Sequence, residues 1–350
     1  MSGAAFPGAI PFRHLRRMTD DVGVVEHALG VVPRRKEGYS ADDQARALWA
    51  CLEWLDLAGD DERNLLYDLI DTYLAFLLWV QRDDGHFHNN IAYDRSPEPE
   101  TPSDDCLGRC LWAGALAYAK LEHDPDRRIA AERLVAGALT RVDEMVSPRG
   151  WAYAAAAAAL LAKRGYPADA ERKLALLEGR LLEAYRGSAM PDWRWFEPIV
   201  AYSNGLMPWG LLCAYDVRRN DSAFAAALDS LDFLIGLTVA DDGRIRPVGN
   251  RGWCVPGRRA DWDQQPIDVW KLMLAAAKAY ELTERPKYRD VAVRCREWFR
   301  GDNDGGAVMA DERDGGCRDG LAEDGANLNQ GVESTISFLL AEALYRKMFA

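Results

Sequence analysis

No apolar run in this chain approaches the roughly 20 residues that a helix needs to cross a bilayer. The opening residues, MSGAAFPGAIPFRHLRR, contain no continuous apolar stretch of the kind a secretory leader carries. Basic charge is scarce. The 43 Lys and Arg stand against 55 Asp and Glu, a net charge of −12, which argues against a nucleic-acid partner, because that binding needs a basic surface. Cysteine is sparse and unpatterned: the seven, at 51, 106, 110, 213, 254, 295 and 317, form no CxxC pair. That spacing fits reduced thiols better than a disulfide framework or a zinc site. Also missing are any convincing strand and the βαβ unit with a Gly-rich turn that would mark a nucleotide site. The expectation is a cytoplasmic protein with no membrane span. What the chain does have is a 49% hydrophobic composition over 350 residues, enough for a sizeable core, and 12 Trp with 13 Tyr. Flat rings in that number exceed what a core needs, and sugars stack on such rings.

Apolar periodicity predicts twelve helices, at about 20–30, 41–58, 61–82, 103–121, 125–146, 151–164, 168–186, 198–218, 222–239, 265–283, 287–300 and 328–348. Residues 1–18 read as an irregular start, with Thr19 as the cap of the first helix. The connections carry more information than the helices. Turns at Gly59-Asp60, His123-Asp124, Gly165-Tyr166-Pro167, Asn220 and Glu284-Arg285 are short, whereas 83–102, 187–197, 240–264 and 301–327 are long and rich in Gly, Pro, Trp and Asp. Alternating short and long connections imply stacked helical hairpins with every long loop on one face. The even-numbered helices are the more apolar and form the inner ring. The expected fold is an all-α, single-domain (α/α)6 toroid spanning 1–350.

Twelve helices in this order resemble the six-hairpin glycosidase superfamily. The phrases His14-Leu15-Arg16-Arg17-Met18-Thr19-Asp20-Asp21, Gly38-Tyr39-Ser40-Ala41-Asp42-Asp43-Gln44-Ala45-Arg46-Ala47-Leu48 and Asn327-Leu328-Asn329-Gln330-Gly331-Val332-Glu333-Ser334-Thr335 resemble toroidal domains that accompany bacterial glycosyltransferases. The resemblance implies a groove at the inner-helix N-termini and catalysis by carboxylic acids. It also implies a glycosyltransferase as a possible partner.

The octad Tyr39-Ser40-Ala41-Asp42-Asp43-Gln44-Ala45-Arg46 has a near-copy at Pro102-Ser103-Asp104-Asp105-Cys106-Leu107-Gly108-Arg109, each opening an inner helix. Ser40 or Asp42, and Ser103 or Asp104, suit an N-cap, and acids favour the positive end of the helix dipole, so capping alone accounts for either pair. Arg46 and Arg109 lie one turn on and can pair with them. Their place on the long-loop face adds a functional reading. The fourth inner helix begins near Glu197, preceded by Trp193 and Trp195 and followed by Tyr202 and Asn204. The fifth follows Trp253, Trp262, Asp263, Gln264 and Gln265, with Asp268 one turn in. The sixth follows Asn327 and Asn329 and carries Glu333, and the third has Trp151 and Tyr153. In a ring of six, Asp105 is expected opposite Asp263, and Asp43 opposite Glu197, with Glu333 as a third option. Glycoside hydrolysis needs two carboxyl groups flanking one bond, about 5–5.5 Å apart for retention and about 6.5–9.5 Å for inversion. The superfamily resemblance favours inversion.

For any single Trp, core packing is the commoner use. The set before inner helices is more specific to a sugar site than any member. His86 and His88 lack a third ligand at matching spacing, and Asp302-Asn303-Asp304-Gly305-Gly306 fails the calcium-loop spacing, so no metal and no cofactor are expected. The first reading is a glycoside hydrolase acting on an oligo- or polysaccharide. The catalytic candidates are Asp43, Asp105, Glu197, Asp263 and Glu333. The substrate-binding candidates are Tyr39, Asp42, Asp104, Arg109, the five Trp, Tyr202, Asn204, Gln264, Gln265, Asp268, Asn327 and Asn329. The alternative is a non-catalytic toroid that binds glycan or partners a glycosyltransferase.

Overall fold

A computed structural model describes residues 11–166 and 169–349. Residues 1–10 of the expected irregular start, the first residue of the expected 168–186 helix and Pro167 of the third short turn lie outside the described residues. Twelve α-helices are present among them: α1 (Arg13–Met18), α2 (Ala41–Trp54), α3 (Asp60–Val80), α4 (Asp104–Lys120), α5 (Pro125–Leu139), α6 (Pro148–Lys163), α7 (Ala170–Ser188), α8 (Leu206–Arg218), α9 (Asp221–Thr238), α10 (Pro266–Thr283), α11 (Pro286–Phe299) and α12 (Val332–Phe349). The six even-numbered helices pack each against the next, and α12 closes on α2, so the ring is complete. The long odd-numbered helices lie outside it, and the short α1 packs on α12. This is an (α/α)6 toroid.

Small residues let the inner helices approach. A Cβ on Gly108 would meet the Gly150 carbonyl at 2.7 Å, and one on Gly205 would sit 1.9 Å from the Lys271 carbonyl, which fixes how closely the start of α8 meets α10. Ser40 and Ser103 are the N-caps of α2 and α4, their hydroxyls accepting from the Asp43 and Cys106 N–H groups. Deeper along the axis, Trp49, Trp112, Trp209 and Trp270 come from four different inner helices. Their ring centroids lie 4.9 Å (Trp112–Trp209), 5.3 Å (Trp49–Trp112) and 5.6 Å (Trp49–Trp270) apart, and all four are buried. They fill the centre of the ring with aromatic surface, a large apolar contribution to stability.

Three expectations are corrected. The helix expected over 20–30 is absent, and part of the irregular start forms α1 instead. Thr19 ends that helix, its hydroxyl donating to the Leu15 carbonyl, and the Asp20 carboxylate takes the Val22 and Gly23 N–H groups into a turn. Strands do occur, as five two-residue antiparallel pairs among the described residues, one of which joins Tyr39–Ser40 to Asn90–Ile91 in the long 83–102 loop. Finally, α8 begins at Leu206 rather than 198, because Val200 pairs with Cys254 and Ser203 takes a left-handed φ of 52°. Among the described residues no helix is long and apolar enough to cross a membrane.

Candidate active site

The long connections and the inner-helix N-termini share one end of the ring, where a cavity of about 280 Å³ opens. Its chemistry is built around Arg46, buried one turn into α2. One guanidinium nitrogen bonds the Asp43 carboxylate at 2.6 Å and the other meets Glu333 at 2.9 Å. Asp43 is tied further by the Ser40 hydroxyl, which donates to Oδ2 at 2.8 Å. Asp42, with Glu26 and Asp319 brought in by loops, makes five acids that line the cavity with the arginine, and His27, Asn89, Asn90 and Gln265 are also on the wall. The Val332 N–H donates to the Glu26 carbonyl, and the Gly331 N–H to the Asp319 carboxylate at 2.6 Å, so both loops are anchored at the start of α12.

Crowding separates the acids electrostatically. Burial, with the Asp43 carboxylate beside it, pushes Glu26 up to about 7, so it holds a proton near neutrality. Burial also raises Asp43, against the pull of Arg46, and raises Asp319. Asp42 behaves in the opposite way. Its burial is outweighed by Arg109, which reaches across from α4 to pair with it, and by Arg46, so it sits below the usual carboxylate range. Glu333 is the most open of the cleft acids named here, with its side chain 41% exposed.

Beneath this layer lies Lys271, buried, with its amine 4.6 Å from the Trp49 ring centroid and 5.0 Å from that of Tyr153. Burial pushes it down to about 8. Asp268, one turn earlier, is pushed up to about 7 by burial and accepts from the Asn204 backbone and amide N–H groups. Asn204 is thereby occupied in holding α10.

The two acid pairs expected across the ring take other partners. Asp105 accepts from the Tyr202 and Ser147 hydroxyls, whereas Asp263 pairs with Arg251. Glu197 pairs with Arg149 at 2.8 Å, and Asp43 with Arg46. Among the described residues no contact joins Asp105 to Asp263 or Asp43 to Glu197. Loops 187–205 and 240–265 carry Glu197 to Arg149 and Asp263 to Arg251.

Several expected sugar contacts are used by the protein itself. Trp195 and Trp193 are buried and pack on Phe196 and Phe233, so no sugar can reach their faces. Gln264, fully buried, bridges the Asp304 carboxylate and the Trp298 indole N–H. Tyr39 is buried and donates to Asp20. Asp104 takes the Val146 and Ser147 N–H groups, fixing the approach to α6. Trp151 donates to the Met145 carbonyl, and Asn329 accepts from Gly30. Asn327 lies exposed at the rim, and Trp253 and Trp262 are half-buried against the core. Gln265 and Asp42, by contrast, do line the cavity. Glu26, Asn89, Asn90 and Asp319 were missed because each reaches the site through a loop. The four axial Trp were also missed, although Trp positions inside inner helices were a readable signal.

No protein-family model matches the sequence, and no curated protein matches it either. Solved structures do share its fold. A cellobiose 2-epimerase from Bacillus thermoamylovorans superposes with a TM-score of 0.74 over 96% of each chain, at 12% identity. A sugar epimerase from a ruminal bacterium gives a TM-score of 0.71 at 14% identity, over 96% of this chain and 95% of that one. A GH76 α-mannanase from Bacteroides thetaiotaomicron gives 0.60 at 12% identity, over 89% of this chain and 87% of that one. The chain shares the (α/α)6 toroid fold of these structures.

Proposed function

We propose that the chain is a glycoside hydrolase acting on an oligo- or polysaccharide in the cleft around Arg46. The observation that carries the reading is the gathering of five carboxyl groups, Glu26, Asp42, Asp43, Asp319 and Glu333, with Arg46 in one cavity. Structures of carbohydrate-active enzymes with the same fold support it. Glu26, which burial raises to about 7, serves as the general acid: it gives its proton to the glycosidic oxygen as the bond to the anomeric carbon breaks. Glu333, exposed to solvent and held by Arg46, takes a proton from water as the water oxygen bonds that carbon. Asp43 holds the arginine in place. The expected stereochemistry is inversion. Asp105 and Asp263, expected from the sequence as the leading pair, fall to a supporting place in this reading. The small cavity suits a single sugar ring better than a long chain.

A second reading rests on His27, which lies on the cavity wall beside Glu26. Sugar epimerases share the fold, and a histidine suits proton transfer at a sugar carbon. A glycan panel separates the two, with released reducing ends measured alongside the NMR spectrum of the sugar. Hydrolysis gives new reducing ends, and epimerisation changes the sugar without them. Binding without either, unchanged in Glu26→Gln and Glu333→Gln variants, would leave the non-catalytic glycan-binding or glycosyltransferase-partner toroid.

A further inference from the structure

A larger cavity, about 540 Å³, lies one wall away from the cleft. It is an open cavity bordered by the end of α11, by the hairpin that pairs Ala310–Asp311 with Gly316–Cys317, and by Gln330 just before α12. The wall is thin: Arg318 and Gln330 face this cavity, and their chain neighbours Asp319 and Gly331 line the cleft.

The lining is rich in donors. Three guanidinium groups, Arg300, Arg313 and Arg318, stand against two carboxylates, Asp311 and Glu312, in a chain whose net charge is −12. Both acids are engaged. Glu312 pairs with Arg300 at 2.5 Å, and Asp311 accepts from the Arg313 backbone N–H at 3.0 Å. Arg313 and Arg318 form no ion pair with any described carboxylate. The side-chain oxygen of Gln330 is buried close to Gly316, where a Cβ would sit 2.0 Å from it, which leaves the amide nitrogen as the open end of that side chain. With Glu312 held by Arg300, the guanidinium groups of Arg313 and Arg318 face the single carboxylate of Asp311, and this excess of donors with an amide N–H calls for an oxyanion, because arginine recognises carboxylate and phosphate by paired N–H bonds. The space is well above what a bare phosphate fills and lies in the range of small-molecule sites, about 300–1,000 Å³. Val308, 55% exposed, adds an apolar edge to the same wall.

We infer that this cavity binds an acidic saccharide unit, one that carries a phosphate or a carboxylate. The inference rests on the carbohydrate reading of the cleft in taking a sugar as the carrier of the anion.

The test is calorimetric titration of the full chain with glucose 6-phosphate, glucuronate, glucose and inorganic phosphate. At least one of the two acidic sugars is expected to bind at least tenfold more tightly than glucose or inorganic phosphate, and which one identifies the anion. The Arg313→Ala/Arg318→Ala double variant should lose at least tenfold in that affinity with an unchanged melting temperature. Glu333→Gln should bind as the parent does. Three results would overturn the inference: neither acidic sugar binding, an unaltered affinity in the double variant, or a loss confined to Glu333→Gln. Inorganic phosphate binding as tightly as the sugar phosphate would overturn the saccharide part. Glycan hydrolysis without acidic-sugar binding defeats only this inference, whereas acidic-sugar binding without hydrolysis defeats only the proposed function.

Discussion

The two ends of the inner ring carry similar charges to different effect. At the C-terminal ends of the helices, Lys120 and Lys347 meet Asp56 and Glu53, and Lys163 and Lys278 meet Asp216. Lysines there suit the negative end of the helix dipoles, and most of these pairs are partly in water. At the N-terminal ends, Asp42, Asp43 and Glu333 suit the positive dipole ends equally well, but Asp43 and Arg46 are buried. Solvent reaches the Lys120, Lys163 and Lys347 pairs more than it reaches Asp43 with Arg46. At the upper end burial raises Glu26 and Asp268 to about 7, and a poised acid is what general acid catalysis requires.

The sharpest way to break this contrast is to neutralise an upper acid. Glu26→Gln and Glu333→Gln are each expected to lower kcat on a cleaved glycan by about 10²–10⁴-fold, the usual worth of a general acid or base; steady-state kinetics reads this directly. Next in size is Arg46→Met, which strands buried carboxylates and should cost about 3–5 kcal/mol in urea unfolding. Trp49→Ala removes a ring from the axial cluster and is expected to cost about 3–5 kcal/mol by the same measurement, through the cavity it leaves.

The pH dependence sharpens the comparison further. The folded chain holds the Glu26 proton up to about pH 7, against an ordinary value of 4.5. The contribution of Glu26 to stability is therefore full below the ordinary value and is lost as pH rises through about 7. Thermal melts should fall over that interval in the parent and fall less in Glu26→Gln. In the proposed mechanism, activity also declines as pH rises through about 7. The smallest effect belongs to the lower end: Lys163→Ala should change stability by less than about 1 kcal/mol, and added salt should shrink the difference.

Much of the fold was legible because its signals are local. Helical periodicity and short turns gave the hairpins, and the Ser40 cap and the Asp43–Arg46 pair lie within one turn of one helix. Arg109 shows where local reading fails. One turn from Asp105, it pairs instead with Asp42 on the neighbouring helix, because packing of α2 against α4 brings that carboxylate nearer. Trp193 and Trp195 stand in a long loop and read as sugar platforms, yet the loop folds inward and buries them against Phe196 and Phe233.

The sequence by itself determined the ring of helical hairpins, the end at which its acids gather and the arginine one turn behind them, all written in residues three to seven apart. Tertiary structure alone decided which acids share a cavity. Glu26, Asp319 and Glu333 are brought together by backbone bonds between distant loops and the start of α12, and the burial that raises Glu26 exists only once the ring has closed.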